Sequence, residues 1–339
     1  MRKHFCIFSC ILIFVTTVNA QTTGNPQRTY RVIRDNPDNV NLINIGFDPL
    51  DCTVDQYYGD HYGILRYGIN SSILILKNLN FEVAMVGDYK SPEPDKQSHS
   101  KNSPDYGYGI NGVRPYSKLS VCGTYYYTSI EKEEMFDLFL AYGKTNHNQV
   151  EIHTKLPSKE VTKKGIRYGW TNSQYYIKPD GMFEFNGYLI DDPNKMPVKL
   201  GGNDYGTSNS LIQYNIGFSK LSIQDFIIDV EGFGKNKYQT NTELYFDYLF
   251  STNHTIDNIY VPNYENSHVP KTVVLKENTS FLNWGFRFGF KQYENQGFGV
   301  KWNIETGIQP GIRNGDNSIL WNFFLVGRCG ISLSQRLSK

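Results

Sequence analysis

Arg287, Lys301, Glu305 and Arg328 lie on the polar sides of three successive segments whose opposite sides are apolar. Asp229, Glu231, Glu243 and Asp247 do the same in two earlier segments, between residues such as Ile228, Val230, Leu244 and Phe246. Because the pattern repeats every two residues, each set of charges falls on one face of a β-strand. One group is mainly basic and the other wholly acidic. If both faced an enclosed interior, opposed sectors of charge would set a transverse field. Such a field orients polar solutes and sets ion preference. The plainer alternative is that the charges pair and brace a closed interior.

Covalent chemistry has little support. An esterase or protease site needs a nucleophile or activated water held by a base and an orienting group. The histidines beyond the N-terminus are His61, His99, His147, His153, His254 and His268, and all except His153 fall in loops or at their edges. The pair Asp60-His61, at a loop–strand junction, is the most suggestive, yet no serine pairs with a histidine at strand spacing and G-x-S-x-G does not occur. His147 and His153 lack the further partners a zinc site needs. Tyr106-Gly107-Tyr108-Gly109 has no phosphate-loop pattern. The sequence therefore assigns no catalytic residue, no metal ligand and no cofactor, and the protein is read as a non-enzyme.

The segments that must position the charges are clearest at 281–309. There Leu282, Trp284, Phe286, Phe288 and Phe290 alternate with Asn283, Gly285, Arg287, Gly289 and Lys291. After a short turn, Phe298, Val300, Trp302, Ile304 and Ile308 alternate with Gly299, Lys301, Asn303, Glu305 and Gly307. Similar alternation marks 40–48, 62–76, 80–89, 116–128, 135–144, 164–172, 181–190, 210–219, 223–233, 241–250 and 318–333, with a weaker segment near Thr255–Val261. The connections between segments tend to alternate short and long. That rhythm fits an antiparallel transmembrane β-barrel, with turns on one rim and loops on the other. Counting every segment gives an all-β barrel of about fourteen strands, with twelve as the fallback.

Composition agrees. Aromatics make up 15% of the 339 residues, with 25 tyrosines and 30 glycines. Past the N-terminus no apolar run approaches the ~18–20 residues of a spanning helix. The N-terminus reads as an export signal over 1–20: Arg2 and Lys3, then apolar Phe5–Val15, then Val18-Asn19-Ala20 before Gln21. Its cleavage removes two positive charges from a formal +1, leaving −1, which gives nucleic acid no basic surface. A polar lead-in follows over 21–39, then one barrel domain over 40–333 and a short polar tail over 334–339. Cys52, Cys122 and Cys329 are widely spaced and form no C-x-x-C, so they indicate neither a disulfide framework nor a zinc site.

Several features turn the apolar face toward lipid rather than toward a soluble core. Most segments are long enough for a tilted span. Tyr89, Tyr142, Trp170, Trp284 and Trp321 sit toward segment ends, as interfacial girdles require. Closure into a barrel would satisfy every backbone group in lipid. Trp284, Phe286, Phe288, Trp302 and Trp321 are then lipid-facing. Arg287, Lys301, Glu305, Arg328, Asp229, Glu231, Glu243 and Asp247 line the lumen.

On these residues the chain resembles the bacterial outer-membrane β-barrel class over roughly 40–333. Gln21 after the cleavage site and the abundance of Asn, Lys and Tyr resemble barrels of Bacteroidota. The end of the chain departs from that class. Its barrels commonly finish on a terminal aromatic, whereas this chain ends Leu333-Ser334-Gln335-Arg336-Leu337-Ser338-Lys339. The resemblance implies an outer-membrane location and lipid as the surrounding partner. Function is expected to be a channel or transporter for small polar solutes or ions. The alternative is a structural barrel that meets a partner protein or glycan through the polar loops 90–115, 191–209 and 262–279. A secreted soluble β-sandwich is a further alternative.

Overall fold

A computed structural model of the protein describes residues 30–35, 37, 41–55, 63–89, 117–144, 149–177, 185–189, 194, 197–200, 207–256, 259–261, 271–275, 281–294, 297–312 and 322–337. Its strands, in chain order, are β1 (Tyr30–Asp35), β2 (Leu42–Asp55), β3 (Gly63–Ile75), β4 (Leu79–Asp88), β5 (Ser117–Lys144) and β6 (Gln149–Ile177). Next come β7 (Phe185–Leu189), β8 (Pro197–Leu200), β9 (Thr207–Val230), β10 (Gly234–Ile256), β11 (Ile259–Val261) and β12 (Lys271–Leu275). The last are β13 (Phe281–Leu282), β14 (Trp284–Glu294), β15 (Gly297–Ile308), β16 (Gly311–Ile312) and β17 (Phe323–Arg336).

Ten of these strands close on themselves. The order runs β9-β10-β14-β15-β17-β2-β3-β4-β5-β6, and β6 pairs back onto β9 from Glu160↔Gln224 to Ile177↔Thr207. The described ladders around the ring are antiparallel. Closure leaves no open sheet edge, the condition for crossing a membrane in strands.

The all-β antiparallel barrel is as expected, but the ring has ten staves rather than fourteen. Segments 116–128 and 135–144 are one strand of 28 residues, β5, and 210–219 and 223–233 are one strand of 24 residues, β9. The run Glu131-Lys132-Glu133 looks like a turn in sequence, yet all three residues are exposed within continuous strand. Segments 181–190 and Thr255–Val261 supply no stave of their own. Phe185–Leu189 of the first is β7 and Ile259–Val261 of the second is β11, both in a separate four-stranded sheet, β11-β12-β7-β8, while Thr255 and Ile256 end β10. With ten staves, every short connection (76–78, 145–148, 231–233, 295–296) alternates with a long one (56–62, 89–116, 178–206, 257–283, 309–322).

The chain divides into two compact units. The larger comprises 36–132, 160–225 and 239–339, and the smaller comprises 1–35, 133–159 and 226–238. In the larger unit the exposed residues are largely apolar, among them Ile45, Phe47, Leu65, Ile69, Phe81, Val83, Met85, Tyr125, Ile166, Tyr168, Ile216, Phe218, Phe246, Phe288, Val300 and Ile331. Its buried residues are largely polar, including Asn44, Asp48, Asp51, Arg66, Thr124, Arg167, Asn215, Glu243, Asp247, Arg287 and Glu305. A water-soluble sheet protein buries its apolar face and wets its polar one. This unit does the reverse, which is the polarity of a barrel with lipid outside.

The smaller unit holds β1 and one end each of β5, β6, β9 and β10. β1 pairs antiparallel with β9, Tyr30↔Val230 to Asp35↔Phe226. Residues 21–39, expected to be an unstructured lead-in, thus include a strand. Leu156, Phe226, Ile228 and Val230 are buried here, with Phe136, Leu140, Phe233 and Tyr238 packed against them. Phe136 lies edge-on to Phe226 at 5.0 Å and 4.2 Å from Tyr238 between ring centres.

Candidate functional site

The site is the lumen of the larger unit, and β2 shows how the sequence builds it. Simple alternation from Asn44, Gly46 and Asp48 would turn Asp51 outward. Instead, β2 carries one extra residue: Asp48 pairs with Gly68 and Asp51 with Arg66, so Pro49 and Leu50 together oppose Tyr67. This is a β-bulge, a position that tolerates proline because the ladder is already interrupted. The bulge buries both Asp48 and Asp51 and leaves Leu50 exposed. On the other side of β2, Gly330 opposes the same extra residue. A Cβ on Gly330 would lie 2.2 Å from the Phe47 carbonyl oxygen, so only glycine fits the close approach.

From these staves an ion-pair lattice fills the interior. Arg167 of β6 donates to Glu243 at 2.6 Å and to Asp247 at 3.3 Å, both on β10. Arg287 of β14 donates to the second Asp247 oxygen at 2.6 Å. Arg328 of β17 reaches Asp51 at 2.7 Å and Glu305 at 3.1 Å. Lys301 of β15 meets Asp48 at 3.2 Å, and Arg66 of β3 meets Asp88 at 2.9 Å. The Tyr245 hydroxyl donates to Glu305 at 2.5 Å, while the Arg167 guanidinium lies 4.1 Å over the Tyr245 ring. Tyr245 can lie across the lumen because its cross-strand partner is Gly289. A Cβ there would stand 2.1 Å from the tyrosine ring.

Among the described residues, two ion pairs link staves four or five places apart. Lys291 of β14 donates to Glu82 of β4 at 2.5 Å, between strands five places apart in a ring of ten. Arg336 pairs with Asp225, joining β17 to β9 four places away, and Gln239 also donates to Asp225 at 2.7 Å. Arg336 belongs to the stretch expected to be a free polar tail, but β17 continues through it, pairing Arg336 with Leu42.

Near the short turn 76–78 the filling becomes apolar. Leu42, Leu74, Tyr126, Leu221 and Ile223 are buried together, with Tyr293 against them. Lys163 donates to the Lys77 carbonyl at 2.9 Å. Among the charged residues lies a cavity of about 110 Å³ that touches Lys118, Ser120, Asn303 and Arg328. An interior of fourteen strands would exceed what side chains usually fill, whereas small barrels are filled by them.

Of the charges that the sequence points to, Arg287, Lys301, Glu305, Arg328, Glu243 and Asp247 come together in this lattice, all facing the lumen. Asp229 and Glu231 do not join them. They are exposed in the smaller unit, because the buried phase of β9 shifts by one at Asp225-Phe226, after which Phe226, Ile228 and Val230 are buried. Glu82, Arg167, Lys291 and Tyr245 are central to the lattice but are absent from the sequence-predicted set. For three of them the signal is present all the same: Glu82, Arg167 and Tyr245 each stand between exposed apolar residues, as Glu82 does between Phe81 and Val83. Trp284, Phe286, Phe288 and Trp302 are exposed on the barrel wall. Trp321 lies outside the described residues.

Among the histidines, His153 stands 3.3 Å from Asp137, with Phe139 edge-on at 5.5 Å. His254 stacks on Phe281 at 4.6 Å. His61, His99, His147 and His268 lie outside the described residues. Cys52, Cys122 and Cys329 are all free thiols.

A closed ten-stranded antiparallel barrel with an apolar outside and a charged inside has the architecture of transmembrane β-barrels of the outer-membrane type. No protein family matches the chain, and no curated protein matches it. A solved structure described as OmpT (in-vitro folded), an outer membrane protein of Vibrio cholerae, aligns over 90% of this chain and 100% of its own, at 9% identity and a TM-score of 0.19. A likeness at that level carries no weight, and the class rests on the barrel's own geometry.

Proposed function

We propose that the protein is exported through a cleaved N-terminal signal, inserts into a bacterial outer membrane, and works there as a braced barrel. On this reading it presents its long connections to a partner protein or glycan rather than conducting solutes. The supporting observation is the pair of cross-lumen ties, Lys291–Glu82 and Arg336–Asp225, within a lattice of buried ion pairs. A solute path would require buried ion pairs to part, and removing one partner of such a pair costs about 3–5 kcal/mol. The long connections also have a shared framework: β7 of one pairs with β12 of the other, Leu189↔Val273 to Gly187↔Leu275.

Planar-bilayer recording tests the reading. The wild-type protein is expected to insert without unitary conductance steps, and the double variant Glu82→Gln/Lys291→Met to leak. Stable steps from the wild type would instead support the solute or ion channel that the sequence first suggests. Protease shaving of intact cells, followed by partner capture, tests the surface role. Undiminished capture after the long connections are cut would end it.

A further inference from the structure

We propose that the outer wall of the barrel carries a binding site for the phosphate headgroup of a glycerophospholipid, formed by Lys164 and Lys220. The proposal rests on the membrane reading above. Lys164 of β6 and Lys220 of β9 are directly opposite each other in the ladder. Both are exposed, at the end of an otherwise apolar outer face: Ile166, Tyr168 and Trp170 follow Lys164 on β6, and Phe218, Ile216 and Tyr214 precede Lys220 on β9. Side chains so paired hold their Cβ atoms about 4.5–5.5 Å apart, and like charges in that position repel. Neither lysine has an ion-pair partner among the described residues.

An anion bridging the two ammonium groups would turn this repulsion into attraction. What selects a lipid over a free anion is the surface beside them. Tyr127, Phe218, Leu244, Phe246 and Phe288 line a groove of about 360 Å³ that continues from the two lysines. Its lining is mainly apolar. A headgroup phosphate between Lys164 and Lys220 would leave its acyl chains against Phe246 and Phe288. The site sits at the level of the short turn 76–78, since the neighbouring Lys163 donates to the Lys77 carbonyl. With long connections outward, that is the leaflet facing the periplasm. Lysines there keep their charge at the headgroups while their stems lie along apolar surface.

The test is native mass spectrometry of the full-length protein in neutral detergent, titrated with dioleoyl-phosphatidylglycerol or dioleoyl-phosphatidylcholine. The wild type is expected to retain phosphatidylglycerol roughly tenfold better than phosphatidylcholine. Lys164→Gln/Lys220→Gln should abolish that preference, whereas Lys132→Gln should keep it. Inorganic phosphate should not displace the bound lipid. Equal retention by the double variant and the wild type overturns the site, as does displacement by inorganic phosphate. Heat-modifiable gel migration of each variant separates this from misfolding. Absence of the wild type from the membrane fraction would overturn the membrane reading and the site together, whereas failure of lipid selection in an inserted barrel overturns the site alone.

Discussion

The two units of this chain obey opposite rules of burial. In the larger, Arg167, Glu243 and Asp247 are buried, while Phe218, Phe246 and Phe288 are exposed. In the smaller, Leu156, Phe226, Ile228 and Val230 are buried, while Glu133, Glu134, Lys155, Asp229 and Glu231 are exposed, together with Tyr30, Val32, Ile33, Met135, Phe139 and Tyr142. β9 belongs to both units and changes rule at Asp225-Phe226, where two consecutive residues are buried. The difference identifies the solvent. The hydrophobic effect buries apolar surface only where water is the alternative. In lipid the apolar face gains nothing by turning inward, and charge must be enclosed and paired. The smaller unit therefore has a water-excluding core, and the larger has the inverted burial expected of a barrel wall in a bilayer.

Substitutions can break or sharpen this contrast. The largest effect is expected from Arg167→Met, which leaves Glu243 and Asp247 short of a buried cation and should cost about 3–5 kcal/mol. Urea unfolding of the lipid-reconstituted protein would show it, and a loss under ~1 kcal/mol would contradict a braced lumen. Phe226→Ala should cost a similar amount, about 3–5 kcal/mol, for the ordinary reason that a water-excluding core loses a ring. Phe288→Arg should cost about 2–4 kcal/mol in bilayers, the penalty for a cation on a lipid-facing barrel wall. If that variant is as stable in bilayers as the wild type, the wall does not face lipid. Tyr245→Phe removes a donor to buried Glu305 and should cost about 1–3 kcal/mol. The matched change in the smaller unit, Phe139→Arg at an exposed position, should stay within about 0.5 kcal/mol. Equal penalties for Phe288→Arg and Phe139→Arg would erase the distinction between the units.

Much of the wall is legible in the amino-acid sequence alone. Trp284, Phe286 and Phe288 face outward because a period of two admits no other arrangement once one face is buried. The candidate site is legible only in part. Arg287 and Lys301 can be assigned to a face, but their partners Asp247 and Asp48 depend on the order of the staves, which sets β14 beside β10 and β15 two places from β2. Asp51 is not readable as a lumen residue, because the Pro49–Leu50 bulge reverses the alternation. Asp229 and Glu231 mislead for a different reason: β9 keeps its alternation, but the face that is buried changes at Asp225-Phe226. The strand count goes astray at Glu131-Lys132-Glu133, where exposed charge in continuous strand has the same local signature as a turn.

The sequence by itself therefore determined strand character, the two chemically distinct faces and the antiparallel barrel class. These follow from side-chain direction along a single strand, which is local. The tertiary structure alone decided that the ring closes at ten, and that the lumen is tied across by Lys291–Glu82, residues 209 positions apart in the chain. Closure and cross-lumen pairing depend on the order and stagger of all the staves together, and no local period encodes either.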